Sequence, residues 1–489
     1  MILTEYFGYI TIDLWEYALL FFYLVLLFIF FARRKNRRIK QHPEYKYFLW
    51  GLYAKVIGGI VFSLIYFFYY KGGDTITYYV SAMAMSNLAK SDPMAYLHVL
   101  FGANDAAHRQ YFTVETGYPY SYVYHDARAF MVVRMISPLI MLTFNSYLIT
   151  TVLVSALSYS GIWKCYRTFV RYFPQLSGRF AFAFLFMPSC IFWGSAILKD
   201  TFTFSATCWF VHCVDRYFFE RKGRASAMFG LLVSGWVLIA IKPYIFMVLF
   251  PLCLMWVLYF RLARIRNLLI KYLLLPAGTV MFMALSFVVL NSLQSKLGKF
   301  SLDNALNTIL IAQQDMKREM EYGTNYFDLG PMDKSWTSVL SKFPAATVAT
   351  LFRPFLWECK NVVMVLAGLE NTFIALLVLS VLVRSRIFHL TGALTKNPLV
   401  LTSIMFALFY SFVTGITTPN FGALVRFKVP MLPLLVTGLY IMLFLLNERR
   451  RAIRAGRKFR FEDYAMGSAH VPDRKPGKRA RVIGPLAHA

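Results

Sequence analysis

The chain has 489 residues, 58% of them hydrophobic and 18% aromatic, with mean hydropathy +0.52 and a formal net charge of +28. That composition excludes an ordinary soluble enzyme: apolar runs of about 17–25 residues, enough to cross a hydrocarbon core about 30 Å thick, recur from end to end. The positive charge is spread over short loops and the tail from Arg449 to Arg481, not gathered in a folded basic domain, so nucleic acid is not read as a partner.

The first apolar run, Trp15–Phe31, has no basic segment ahead of it and ends in Arg33-Arg34-Lys35, the pattern of a retained helix and not of a cleaved signal. Spans are expected at about 13–32, 48–69, 143–163, 179–197, 201–217, 226–241, 244–260, 269–291, 361–383, 398–417 and 429–446. Basic loops fall at 33–46, 164–179, 216–224, 261–267 and 384–396 and in the tail, each after an odd-numbered helix. About 11 helices, with the N-terminus outside and the C-terminus cytoplasmic, place all of these loops on one side. The expected fold is therefore all-α: a polytopic membrane domain over 1–447. A basic, disordered cytoplasmic tail over 448–489 is expected to favour anionic lipid.

The opposite side collects two long segments, 70–142 and 292–360, and short turns around Lys199-Asp200, Lys242 and Thr417–Lys428. Ala129–Leu142 is apolar but holds Arg134 and Pro138, so a re-entrant or interfacial helix is expected there. Leu302–Met320 is amphipathic and is expected to lie in the interface. The six cysteines show no metal-binding spacing and read as small hydrophobes. No internal repeat supports a transporter of inverted halves.

Asp74, His108, Arg109, His125, Asp126, Arg128, Lys199, Asp200, Lys242, Lys317, Arg318, Arg353, Glu358, Arg426 and Lys428 map to that external side, with Lys71 beside Asp74. Carboxylates can act as bases, and the planar fork of arginine suits phosphate. Plainer readings stand beside the chemical ones. Asp74 after two glycines reads equally as a helix cap, and His125-Asp126-x-Arg128 as a loop salt bridge. Lys199-Asp200 reads as the polar tip of a helical hairpin. The run from Arg353 to Glu358 reads as an interface anchor, and Arg426 and Lys428 as snorkelling cations. Glu370 lies inside the ninth helix, where a carboxylate is functional or structurally paired. Walker, His-Glu-x-x-His and Gly-x-Ser-x-Gly patterns are missing from the sequence, which leaves ATPase, zincin and serine-hydrolase readings without support.

One helix, a basic loop, a second helix and then Gly72, Gly73, Asp74, Thr75 and Tyr78 in a Gly-x-Asp-Thr-x-x-Tyr motif resemble the start of EpsG-type and Wzy-type polysaccharide polymerases. Lys71 stands where that family often has an arginine. Pro188-Ser189-x-x-x-Trp193-x-Ser195-x-x-x-Lys199-Asp200 looks like the helical hairpin of related polymerases, and Asn420-Phe421-Gly422-x-x-x-Arg426-Phe427-Lys428-x-Pro430 like their last external turn. The resemblance implies a glycosyltransferase of the bacterial inner membrane that joins undecaprenyl-(pyro)phosphate-linked sugar units at its outer face. Asp74, His125 and Asp126 would then be catalytic, and Lys71, Arg128, Lys199, Asp200, Lys242, Arg353, Glu358 and Arg426 would hold substrate or phosphate. No resident cofactor is implied, although a divalent metal shared with Asp74 is compatible with it. The alternatives are a flippase or transporter for a lipid-linked saccharide, and a polysaccharide O-acyltransferase or ligase using His108 or His125 as base. The leading reading requires Asp74, Arg353 and Arg426 to converge on one cavity.

Overall fold

The computed structural model describes residues 4–6, 10–221, 223–263, 302–318, 326–385 and 387–467. The span expected at 269–291 lies outside them. Apart from a short antiparallel pairing of Thr4–Tyr6 with Ile10–Ile12, the described chain is helical.

Helix α1 (Leu14–Arg38) starts where Glu16 accepts the Asp13 backbone N–H, and it ends in basic residues that suit the negative end of a helix. Helix α2 (Phe48–Phe68) runs back and stops at a turn before α3 (Asp74–Ser91). The first long loop is itself folded, into α4 (Pro93–Phe101), α5 (Ala106–Arg109), α6 (Ser121–His125) and α7 (Ala127–Leu142). Helix α7 is the segment expected to be re-entrant or interfacial. Its last carbonyl, Leu142, accepts a 2.7 Å hydrogen bond from Tyr23, well inside α1.

Helix α8 (Tyr147–Tyr172) is the axis of the bundle, buried along most of its length between α2 and the helices that follow. The expected span at 179–197 is not one helix. It is broken into α9 (Ser177–Ala181), a wide turn over Phe182–Phe186, α10 (Pro188–Phe192) and an irregular stretch to Leu198. Pro188 has no N–H to continue the ladder, and buried polar groups re-satisfy the freed backbone. Glu370 accepts the Ser189 N–H at 2.8 Å, while Lys55 donates to the Gly194 carbonyl. Gly58 on α2 lets the broken segment approach closely, because a β-carbon there would sit 2.3 Å from the Ile191 carbonyl oxygen.

The chain continues as α11 (Lys199–Asp215), α12 (Arg224–Ile241) and α13 (Pro243–Ala263). The second long loop contributes α14 (Leu302–Arg318), α15 (Trp336–Ser341) and α16 (Phe343–Phe352). Then come α17 (Val362–Arg384), α18 (Ile387–Thr395), α19 (Pro398–Thr417), α20 (Phe421–Phe427) and α21 (Leu432–Arg454). Among the described residues, 7 helices are long and apolar enough to cross a membrane: Pro43–Phe68 with α1, α8, α12, α17, α19 and α21. The chain is a polytopic, all-helical membrane protein.

The tail departs from the expectation of disorder over 448–489. Helix α21 runs on to Arg454, and the segment after it folds back onto the bundle. The Tyr464 carbonyl accepts from Asn397, Lys396 pairs with Glu462 at 3.1 Å, and Phe461 covers Gly392. Aromatic side chains within the basic run supply the apolar contact that its charge count conceals. The remainder, 468–489, lies outside the described residues.

Candidate functional site

The site forms where several helix termini meet at one end of the bundle. Its first wall is the turn from α2 into α3. Gly73 caps α3 in a left-handed conformation (φ 100°), and a β-carbon there would lie 2.7 Å from the Tyr66 ring. Its carbonyl accepts the N–H groups of Ile76 and Thr77. Asp74 is thus the first helical residue, with its carboxylate at the positive end of α3. The sequence left Asp74 open between cap and chemical group; Gly73 is the cap.

Helix α20 brings Arg426 across. Its Nη2 lies 2.8 Å from Asp74 Oδ2, and its Nε lies 3.1 Å from Asp200 Oδ2. The second contact is Coulombic without hydrogen-bond alignment, since neither Nε nor Oδ2 has a directed partner among the described residues. Asp200, in the first turn of α11, is fully buried, and its other oxygen takes Lys242 at 2.5 Å. Lys242 sits between α12 and Pro243 with its ammonium 3.8 Å from the centre of the Phe427 ring. Burial pushes Lys242 down to about 8 although Asp200 opposes it. Burial also works against the charge on Arg426, but Asp200 and Asp74 outweigh it and hold the guanidinium firmly protonated. Tyr78 of the motif is 3% exposed, and burial, then Asp74, pushes its phenol upward.

A second ion pair adjoins the first. Lys199 precedes Asp200 in the chain and reaches Asp126 at 2.8 Å. Asp126 also caps α7 by accepting the Arg128 N–H at 3.0 Å, so part of its role is structural. Burial lowers Arg128, with Asp126 opposing. His125 is exposed and accepts from Arg109 at 3.2 Å. Lys71 lies on the surface of the turn ahead of Gly72.

Arg353 and Glu358 are elsewhere, which corrects the expectation that Arg353 meets Asp74. Arg353 Nε grips Glu358 at 3.0 and 3.1 Å, and its guanidinium lies 5.0 Å from the Phe421 ring centre at the start of α20. Glu358 is lowered because Arg353 and the Phe355 N–H outweigh its partial burial. These two hold α20, which carries Arg426, and do not face the acids.

Sequence reasoning missed the aromatic frame. Tyr410 donates to the Phe427 carbonyl at 2.7 Å, Tyr244 stacks on Tyr410, and Tyr66 lies beneath Gly73. Tyrosines this numerous carry no spacing signal that separates a site wall from a membrane belt. Among the described residues, no three or more His, Cys, Asp or Glu converge as a metal-ligand group. A divalent ion at Asp74 and Asp200 would have to displace the guanidinium they share.

Fold and site together define a class: a multispanning helical membrane protein with a buried network of acids and cations at the ends of its helices. Compared with known proteins, the chain matches no family model, no curated protein and no solved structure.

Proposed function

We propose that the protein is a membrane-embedded glycosyltransferase or polysaccharide polymerase that joins sugar units carried on a polyprenyl (pyro)phosphate at the outer face of a bacterial inner membrane. In this reading the chain crosses about 11 times with its N-terminus outside. The observation that carries it is Arg426 bridging Asp74 and Asp200, which supports a site where a carboxylate and several cations act together. The Asp74 side chain is 33% exposed and that of Asp200 0%, so Asp74 is the acid that substrate can reach.

The chemistry follows from that difference. Asp74 takes the proton of an acceptor sugar hydroxyl, whose oxygen bonds to the anomeric carbon of the donor. The anomeric carbon–oxygen bond to phosphate breaks, and the lipid (pyro)phosphate leaves with the electron pair. Arg426 and Lys199 neutralise the charge that develops on the leaving oxygen. Asp200 touches no substrate and acts by positioning Arg426 and Lys242.

The test is surface polysaccharide and lipid-linked intermediates in cells carrying Asp74→Asn, Asp200→Asn or Arg426→Lys, with protein level as control. Each variant is expected to lose polymer while lipid-linked units collect at the outer face. Full polymer from Asp74→Asn would end this reading. Units collecting at the inner face would replace it with transport.

A further inference from the structure

Beside the charge network lies a cavity of about 1370 Å³ between α7, α11, α12 and α13. It exceeds the roughly 300–1,000 Å³ typical of small-molecule sites. On α12 its wall runs from Met228 to Ala240, a rise of about 18 Å at 1.5 Å per residue, more than half of a hydrocarbon core about 30 Å thick. Leu232, Trp236, Phe250 and Leu254 give the wall its character: apolar, with no Asp, Glu, Lys, Arg or His below the mouth among the described lining residues.

The mouth is different. Arg128 and Arg134 line it together with His125 and Asp126. Arg134 is anchored to two carbonyls, Val99 at 3.0 Å and Gly102 at 2.6 Å, which orient its fork without cancelling its charge. Lys199 enters through its pair with Asp126. Among the described residues, Arg128, Arg134 and Lys199 thus gather at this mouth with Asp126. Lys199 is also the chain neighbour of Asp200, so the mouth opens directly beside the Arg426 network.

We infer that this groove holds the isoprenoid chain of a polyprenyl phosphate, with the phosphate against Arg128, Arg134 and Lys199. The inference rests on the proposed transferase reading and deepens it by assigning the carrier lipid a place. The long apolar wall matches a chain that reaches beyond one leaflet, and the excess positive charge matches a phosphate. The groove delivers the anomeric phosphate to the one end of the bundle where Asp74 is exposed.

Gly235 offers the handle for a test. It lies on the groove wall, and a β-carbon there would make ordinary contact, 3.4 Å from Phe246 and 3.7 Å from Phe210. The full-length protein in phosphatidylethanolamine–phosphatidylglycerol nanodiscs would be exposed to a photoactivatable polyprenyl phosphate. Labelling is expected on α12 and α13. Gly235→Phe should lower it at least about tenfold, the equivalent of two lost buried methylenes, with Gly235→Ala close to wild type. Arg128→Gln should weaken labelling, whereas Asp74→Asn should leave it unchanged. Undiminished labelling in Gly235→Phe, with its unfolding temperature retained, would overturn the groove assignment and leave the transferase reading standing. Equal displacement of the probe by phosphatidylglycerol would overturn it as well, because the groove would then be an ordinary lipid contact. Polymer made by Asp74→Asn would instead sink the transferase reading without touching lipid binding.

Discussion

Lys242 and Arg426 share Asp200, yet they answer pH differently. Lys242 is pushed down to about 8 by burial, while Arg426 stays protonated throughout. Raising pH through about 8 therefore removes one of the two cations on a buried carboxylate. Activity is expected to show an alkaline limb near pH 8, and Lys242→Arg should move that limb beyond the measurable range, since arginine does not deprotonate there. A pH–rate profile of both proteins checks this; an unchanged limb in Lys242→Arg would assign it to another group. The stability sign is opposite. The folded value lies below the ordinary lysine value of 10.5, so the unfolded chain binds the proton more tightly. The cost of keeping Lys242 charged is full below pH 8 and is relieved as pH rises from there towards 10.5.

At the scale of elements, the site depends on pieces that do no chemistry. Helix α20 is a short turn of chain, too short to be stable alone, and it is held by what packs on it. Phe327 lies against Phe421, the Phe327 N–H bonds to the Pro419 carbonyl at 3.0 Å, and Arg353 covers both rings while gripping Glu358. A double-mutant cycle on Arg353→Ala and Glu358→Ala should return a coupling of about 1 kcal/mol, the size expected of a partly exposed, multiply bonded pair. Under the proposed transferase reading, both single variants should lose polymer through misplacement of Arg426, and Arg353→Lys should not restore it, because lysine lacks the planar fork. Additive effects in the cycle would show that the two residues act separately. The broken segment around α10 follows the same logic, with Glu370 and Lys55 satisfying backbone that Pro188 and the irregular turn leave free.

For the molecule as a whole, the folded tail joins elements distant in sequence. Phe461 and Tyr464 close over the ends of α18, α19 and α21, and Gly467 meets the Tyr172 carbonyl at the end of α8. Truncation after Arg454 should lower thermal stability and yield, with Phe461 alone contributing up to about 1.5–3 kcal/mol. Truncation after Gly467 keeps these contacts and is the reference for it. Detergent-solubilised melting curves of the two truncations decide it, and equal curves would show the tail contacts to be idle.

Much of this was legible in the chain. Apolar length gave seven of the expected spanning helices among the described residues, because a bilayer sets a minimum that composition must meet. Of the fifteen charged or histidine residues that the sequence grouped, Asp74, Asp200, Lys242 and Arg426 converge, with Lys199 and Asp126 beside them, while Arg353 does not join them. Gly73 could be placed at a turn from its residue type alone. Three things could not be read: that Arg353 turns away to Glu358, that the 179–197 span is broken, and that 455–467 folds back. The break and the folded tail are settled by contacts between segments far apart in sequence, which local periodicity does not encode, while Arg353 is drawn off by a carboxylate five residues on, a pairing that composition alone does not rank above a longer reach. Which carboxylate is buried and which is open was decided in the same way, where Arg426 of α20 reaches Asp74 of α3 and Asp200 of α11. The sequence by itself determined a helical membrane protein, because hydrophobic length is a local property. Only the tertiary structure decided which of its charges meet, because an ion pair depends on distance in space.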